Sequence, residues 1–90
     1  MRPPSRVLLA ARLLLGRTQA QVAADAAISP KTIFKAENGT AGVLSVEKLA
    51  QYYADKGVVL TPPSPTSGWV IEATFLKHRY DDDRRSSKNR

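Results

Sequence analysis

Two short helical segments, each closed at both ends by residues suited to capping, constrain this chain more than anything else in it. From Thr18 to Gly39 it reads Thr-Gln-Ala-Gln-Val-Ala-Ala-Asp-Ala-Ala-Ile-Ser-Pro-Lys-Thr-Ile-Phe-Lys-Ala-Glu-Asn-Gly. Thr18 with Gln21 three residues on is a capping box, in which hydroxyl and amide satisfy backbone N–H groups that the first turn leaves unpaired. Ser29 is a good cap for the second segment, and Pro30 follows at the first helical position, where a missing N–H costs nothing. Gly39 can take positive φ and ends it. The spacing predicts one helix over Gln19–Ala26, a turn at Ala27 and Ile28 with Ile28 plugging it from below, and a second helix over Pro30–Asn38.

The flanks extend this pair into a small α domain. Val7 to Leu15 is a strong helix former that puts Leu8, Ala11 and Leu15 on one face, and Gly16 breaks it. Val22, Ala23 and Ala26 turn inward from the second helix, where alanine permits a close, sharp crossing, and Ile33 and Ala36 turn inward from the third. A fourth helix is expected over about Val46–Lys56, with Val46, Leu49, Ala50 and Tyr53 inward and Gly57 ending it. Val58–Leu60 and the run Trp69, Val70, Ile71, Ala73, Phe75 read as two short strands, while Thr61–Gly68, with three prolines, reads as neither helix nor strand. A lone two-stranded hairpin is marginal in water, so these strands should cover the fourth helix or pair with a second subunit. Lys77 to Arg90 is too polar to bury itself and reads as a disordered basic tail. The expected fold is mainly α: a four-helix unit over residues 6–57, a β-hairpin extension over 58–76 suited to dimerisation, and the tail over 77–90.

Composition narrows the function. Fourteen Lys and Arg against eight Asp and Glu give a formal net charge of +6, which suits a polyanionic partner and equally a protein that is simply basic. No cysteine is present, which removes disulfides, thiolate metal sites and cysteine nucleophiles and fits a reducing cytoplasm. The leucines after Arg6 superficially suggest a signal peptide, but Arg12 interrupts them and no apolar run is long enough to span a membrane. With one histidine, His78, and no convincing pair of carboxylates, acid–base or nucleophilic catalysis has few candidates, so no enzyme, cofactor or metal site is expected. The run Asp81–Asp83 reads as solvated tail.

Thr18 to Gly39, preceded by Leu14, Leu15 and Gly16, resembles the Cro and CI, or phage-repressor, type of helix-turn-helix DNA-binding family. The matching elements are the Gly16 break, the Thr18-Gln19 opening, the Ile28-Ser29 turn, Thr32-Ile33 and the Glu37-Asn38-Gly39 close. The resemblance covers about Arg6 to Gly57, and beyond it the chain looks like short bacterial members that end in a hairpin. Two positions depart from the pattern: Phe34 stands where the family usually has a polar residue, and Ala36 where it has a larger aliphatic one. The resemblance implies that Gln19 grips a phosphate at the positive end of its helix. It implies that Ser29, Lys31, Thr32 and Lys35 face the major groove, and that Asn38, with Thr40, meets the sugar–phosphate backbone. Arg12 and Glu37 match a family ion pair of architectural role.

Each assignment has a plainer alternative. Gln19 and the lysines would serve as a solvated face, Thr32 as a hydroxyl bonded back within its helix, and Asn38 and Thr40 as capping and loop chemistry. Phe34 fits a thymine methyl or a protein contact equally well. Tyr52, Tyr53, Val59, Trp69 and Ile71 are the expected dimer interface, Trp69 and Phe75 serving as packing rather than base-stacking residues. The function expected is a cytoplasmic, sequence-specific transcriptional regulator, a repressor in the family sense, binding palindromic double-stranded DNA as a homodimer. The alternative is an antitoxin or anti-activator that acts by protein–protein binding through its C-terminal segment.

Overall fold

The computed structural model describes residues 2–76. They form α1 (Ser5–Leu15), α2 (Gln19–Ala26), α3 (Pro30–Asn38), α4 (Val43–Asp55), β1 (Val58–Thr61) and β2 (Val70–Ala73). The fold is mainly α, with a hairpin after the helices. The expectations for residues 77–90, including His78 and Asp81–Asp83, fall outside the described residues.

The caps carry the local structure. Thr18 Oγ1 accepts from the Gln21 N–H at 3.1 Å while Gln21 Oε1 accepts from the Thr18 N–H at 2.9 Å. Ser29 Oγ accepts from the Thr32 N–H at 3.1 Å, with Pro30 at the first position of α3. Two helices begin earlier than apolar spacing indicates. In α1 the Pro4 carbonyl accepts from the N–H groups of Val7 and Leu8, so a proline just outside the helix starts it at Ser5 rather than Val7. In α4 the first turn begins at Gly42, and Val43 and Leu44 point outward, 47% and 81% exposed, so no inward periodicity marks that turn.

Leu8 and Ala11 of α1, Val22 and Ala23 of α2, Ile33 and Ala36 of α3, and Val46, Leu49, Tyr52 and Tyr53 of α4 pack together with Val58 of β1. Leu15, Ala26, Ile28, Leu60 and Ile71 close the edges of this core. The hairpin is antiparallel, with Val58 opposite Ala73, Leu60 opposite Ile71 and Thr61 opposite Val70, so Thr61 belongs to β1 despite the prolines that follow. It leans on α1 and α4, which supply the cover that an isolated hairpin lacks. Gly57, at φ +98°, makes the reversal into β1, and a Cβ there would meet the Phe75 ring at 3.0 Å and Thr74 Oγ1 at 3.1 Å. Phe75 thus lies outside β2 and packs on the glycine backbone.

The expectation that Tyr52, Tyr53 and Ile71 lie on a surface patch for dimerisation is corrected here. Tyr53 is wholly buried, Tyr52 is 8% exposed, and Ile71 packs against the core from the inner face of the hairpin. The two rings meet edge to face at 5.4 Å, and a phenol offers enough apolar surface to serve as core when its hydroxyl is accommodated. Tyr52 does this by donating to Asp25 Oδ2 at 2.7 Å. The Tyr53 hydroxyl has no hydrogen-bond partner among the described residues, and burial drives its pKa well above the ordinary phenol value.

These adjacent tyrosines should therefore answer the same substitution differently. Removing an unpaired buried hydroxyl is neutral or favourable, whereas removing a paired one forfeits its bond. Tyr53→Phe is expected to leave stability within about 0.5 kcal/mol of the parent or to raise it, while Tyr52→Phe lowers the melting temperature at neutral pH. The Tyr52 hydroxyl is the leading cause of the depressed Asp25 pKa. A depressed carboxylate contributes stability above its unfolded pKa of about 3.9 and loses it as pH falls through the lower folded value. The deficit of Tyr52→Phe should then close in acid. Thermal melts in which both variants lose equal stability at neutral pH would contradict this assignment.

Candidate nucleic-acid interface

The orientation of α3 is fixed from one side by a carboxylate. Glu37 accepts from Arg12 Nε at 2.6 Å through Oε2 and from Arg12 Nη2 at 2.9 Å through Oε1. This bidentate pair joins α3 to α1, with side chains 13% and 7% exposed. Gln19 Nε2 donates to the same Oε1 at 2.9 Å, adding the first residue of α2. Arg12 Nη1 also donates to the Arg17 carbonyl at 3.0 Å, which ties down the connection between α1 and α2. The bond from Glu37 is the leading cause of an Arg12 pKa raised above its ordinary value.

The turn between α2 and α3 carries its own constraint. Ala27 adopts φ +56°, ψ +45°, a left-handed conformation that costs a residue with a Cβ roughly 1–2 kcal/mol. Lys48 Nζ donates to its carbonyl at 3.4 Å. Ile28 plugs the turn against the core. Ala23 of α2 and Ala36 of α3 both lie in the shared core, and the two helices are in contact.

Burial of Ile33 and Ala36 then determines what α3 shows to the outside. Residues advance about 100° each around a helix, so Lys31 and Lys35, four apart, form the centre of the opposite face. Both are exposed, and neither enters an ion pair among the described residues. Phe34, 57% exposed, flanks this cationic line on the side of Asn38. At the head of the helix the Ser29 and Thr32 hydroxyls lie 2.8 Å apart and bond each other, so both already have a partner. At its foot Asn38 Oδ1 accepts from the Thr40 N–H at 3.2 Å and the Thr40 hydroxyl at 2.6 Å. Those bonds shape the loop and leave the Asn38 amide nitrogen unused among the described residues.

Gln19 departs from the free surface residue that sequence suggests. One amide N–H is committed to Glu37, and the second remains. The backbone N–H groups of Gln19 and Ala20 lie in the opening turn of α2, where no intrahelical acceptor exists. Sequence reasoning also missed Arg2, which lines a hollow of about 310 Å³ with Ser5, Ala36, Gly39 and Ala41 beside the α3–α4 loop. It missed a second polar cluster as well. Asp25 Oδ2 receives Tyr52, Arg17 Nη1 at 3.2 Å and Lys56 Nζ at 3.4 Å, joining α2 to the end of α4. No periodicity within one helix encodes either arrangement. Among the described residues no group of three or more His, Cys, Asp or Glu is placed to hold a metal, and no helix is long and apolar enough to cross a membrane.

Compared with known families, residues 8–54 match the model of one described as helix-turn-helix. Nothing matches the chain significantly among curated proteins or solved structures.

Because Glu37 is nearly enclosed, deleting its guanidinium partner should cost more than a surface pair is worth. Arg12→Ala is expected to lower unfolding free energy by about 2–4 kcal/mol in urea denaturation, since it leaves a part-buried carboxylate with only Gln19 to bond. A loss below about 0.5 kcal/mol, the range of an exposed pair, would contradict this.

Proposed function

The chain belongs to the helix-turn-helix family of the Cro and CI type, a family of DNA-binding regulators, and from that premise we propose that it is a sequence-specific transcriptional regulator that binds a palindromic operator as a homodimer. The helix Pro30–Asn38 enters the major groove. Lys31 and Lys35 donate to guanine O6 or N7 there, the acceptors that the groove floor displays. The observation that carries this reading is that these two ammonium groups stand exposed and, among the described residues, outside any ion pair, on the face opposite Ile33 and Ala36. An outward cationic line on a braced helix is what a groove reader requires.

Phosphates are met from both ends of the helix pair. At one end stand the free N–H groups that open α2 and the second amide hydrogen of Gln19, and at the other the Asn38 amide nitrogen. Thr32 and Ser29, bonded to each other, act through the shape of the helix start rather than as readers of bases. Arg12 and Glu37 act through posture alone.

Dimerisation falls to the hairpin and the outer side of α4. Val59 and Val70 are exposed on the hairpin's outer face, and Trp69 with Ala50, Ala54, Leu60 and Pro62 lines a groove of about 210 Å³. That apolar ground also supports the second reading, a protein-binding regulator of the antitoxin or anti-activator kind.

Selection of bound duplexes from random DNA at two salt concentrations separates the readings. The operator reading expects a palindromic consensus with half-sites about one helical turn apart, and affinity falling with salt by roughly 0.9 log units per neutralised phosphate for each log unit of salt. Lys31→Ala or Lys35→Ala should cost about 1–3 kcal/mol on that consensus and relax preference at one base position. Recovery of no preferred sequence, or equal losses on consensus and random DNA, would overturn the assignment of these lysines.

A further inference from the structure

Phe34 stands apart from the other aromatic residues. Tyr52 and Tyr53 are core residues, Trp69 is half-buried in its groove, and Phe75 packs on Gly57, whereas Phe34 is 57% exposed and takes no part in the core. Its place on α3 is equally distinctive. Pro30, Lys31, Glu37 and Asn38 are its neighbours four before, three before, three after and four after, with Glu37 committed to Arg12, so the ring lies beside the Lys31 ammonium group and the Asn38 amide, and Lys35 stands about 100° further round the helix.

We propose that Phe34 is a specificity-determining residue whose ring packs against the C5-methyl of a thymine in the major groove, beside the base contacted by Lys31 or Lys35. This rests on the reading of α3 as the groove helix. The thymine methyl is the one apolar feature that base edges present on that side of the duplex. A ring set among lysines suits such a site better than it suits a protein interface, since the centres of protein–protein contacts are depleted in lysine. Position agrees with chemistry. Phe34 lies about 60–80° around the helix from the cationic centre line, at the flank rather than the back, so a helix seated on Lys31 and Lys35 brings the ring toward one wall of the groove. The free protein leaves this apolar surface in water, and covering it with a methyl group is favourable without any hydrogen bond.

The magnitude follows from burial of one methyl-sized group, about 0.8 kcal/mol, which is about fourfold in affinity per half-site. The test uses the duplex recovered by selection, with each thymidine replaced in turn by deoxyuridine, which removes only the methyl. The parent protein is expected to lose about fourfold at one position of each half-site and to be indifferent at the others. Phe34→Ala should bind the thymine and uracil forms alike at that position, whereas Phe34→Leu keeps most of the preference and Lys31→Ala keeps the ratio while weakening both. Substitution at an exposed site should leave helical circular dichroism unchanged, so loss of discrimination is not confused with unfolding. Indifference of the parent to uracil everywhere, or discrimination that survives in Phe34→Ala, overturns the inference while leaving the groove reading intact. If Phe34→Ala binds every duplex as the parent does but sediments as a smaller species, the ring belongs to a protein contact and the inference is wrong. A protein that selects no sequence at all brings down the groove reading, and this inference with it.

Discussion

One carboxylate holds three helices in register. Glu37 sits on α3, takes both arms of the Arg12 guanidinium from α1 and the Gln19 amide from α2, and lies almost out of reach of water. Helices as short as α2 and α3 are marginal on their own, so their directions come from what they pack against. Ala23 and Ala36, core residues of these two helices, grip weakly, because small side chains bury little area. The charge-assisted bonds of Glu37 supply the directionality that the thin apolar contact lacks. An arginine in the middle of a leucine-rich helix, which looks like an interruption in the sequence, is the near end of this brace.

A second brace works at the far side of the same helix pair. Asp25 gathers the hydroxyl of Tyr52 with Arg17 and Lys56, and so links α2 to the end of α4, where the chain turns at Gly57 into the hairpin. Val58, wholly buried, makes the first strand residue part of the helical core. The hairpin is therefore continuous with the domain, although its outer face, with Val59 and Val70, is left for whatever lies beyond. Polar bonds orient these elements while the apolar core supplies most of the stability, the division of labour expected in a small domain with little area to bury.

What could be read from residues alone was what is decided locally. The bounds of α2 and α3 follow from Thr18, Gln21, Ser29, Pro30 and Gly39, whose effects reach only a few residues, and the outward set Lys31, Lys35 and Phe34 follows once Ile33 and Ala36 are known to face in. The opening turns of α1 and α4 were not legible because Pro4 and Gly42 start them without an inward apolar residue to mark them. The tyrosines misled for a different reason: a phenol is apolar in body and polar at the tip, and the acceptor that settles Tyr52 inside lies 27 positions away. The tie between Gln19 and Glu37 spans 18 positions and belongs to the same class of fact. Family resemblance supplied the pairing of Arg12 with Glu37, which no spacing rule would have found.

Sequence-specific binding of the proposed kind requires that the braced helix lie with its cationic face on the floor of the wide groove. Dimethyl sulfate reports this directly, because it methylates guanine at N7 in the major groove and adenine at N3 in the minor groove. On a selected duplex at saturating protein, guanine N7 positions in each half-site are expected to be shielded, and Lys35→Ala or Lys31→Ala to re-expose a particular one, while adenine N3 at the A·T pairs of the same half-site stays reactive. Shielding confined to adenine N3, or N7 reactivity identical with and without protein, would contradict it.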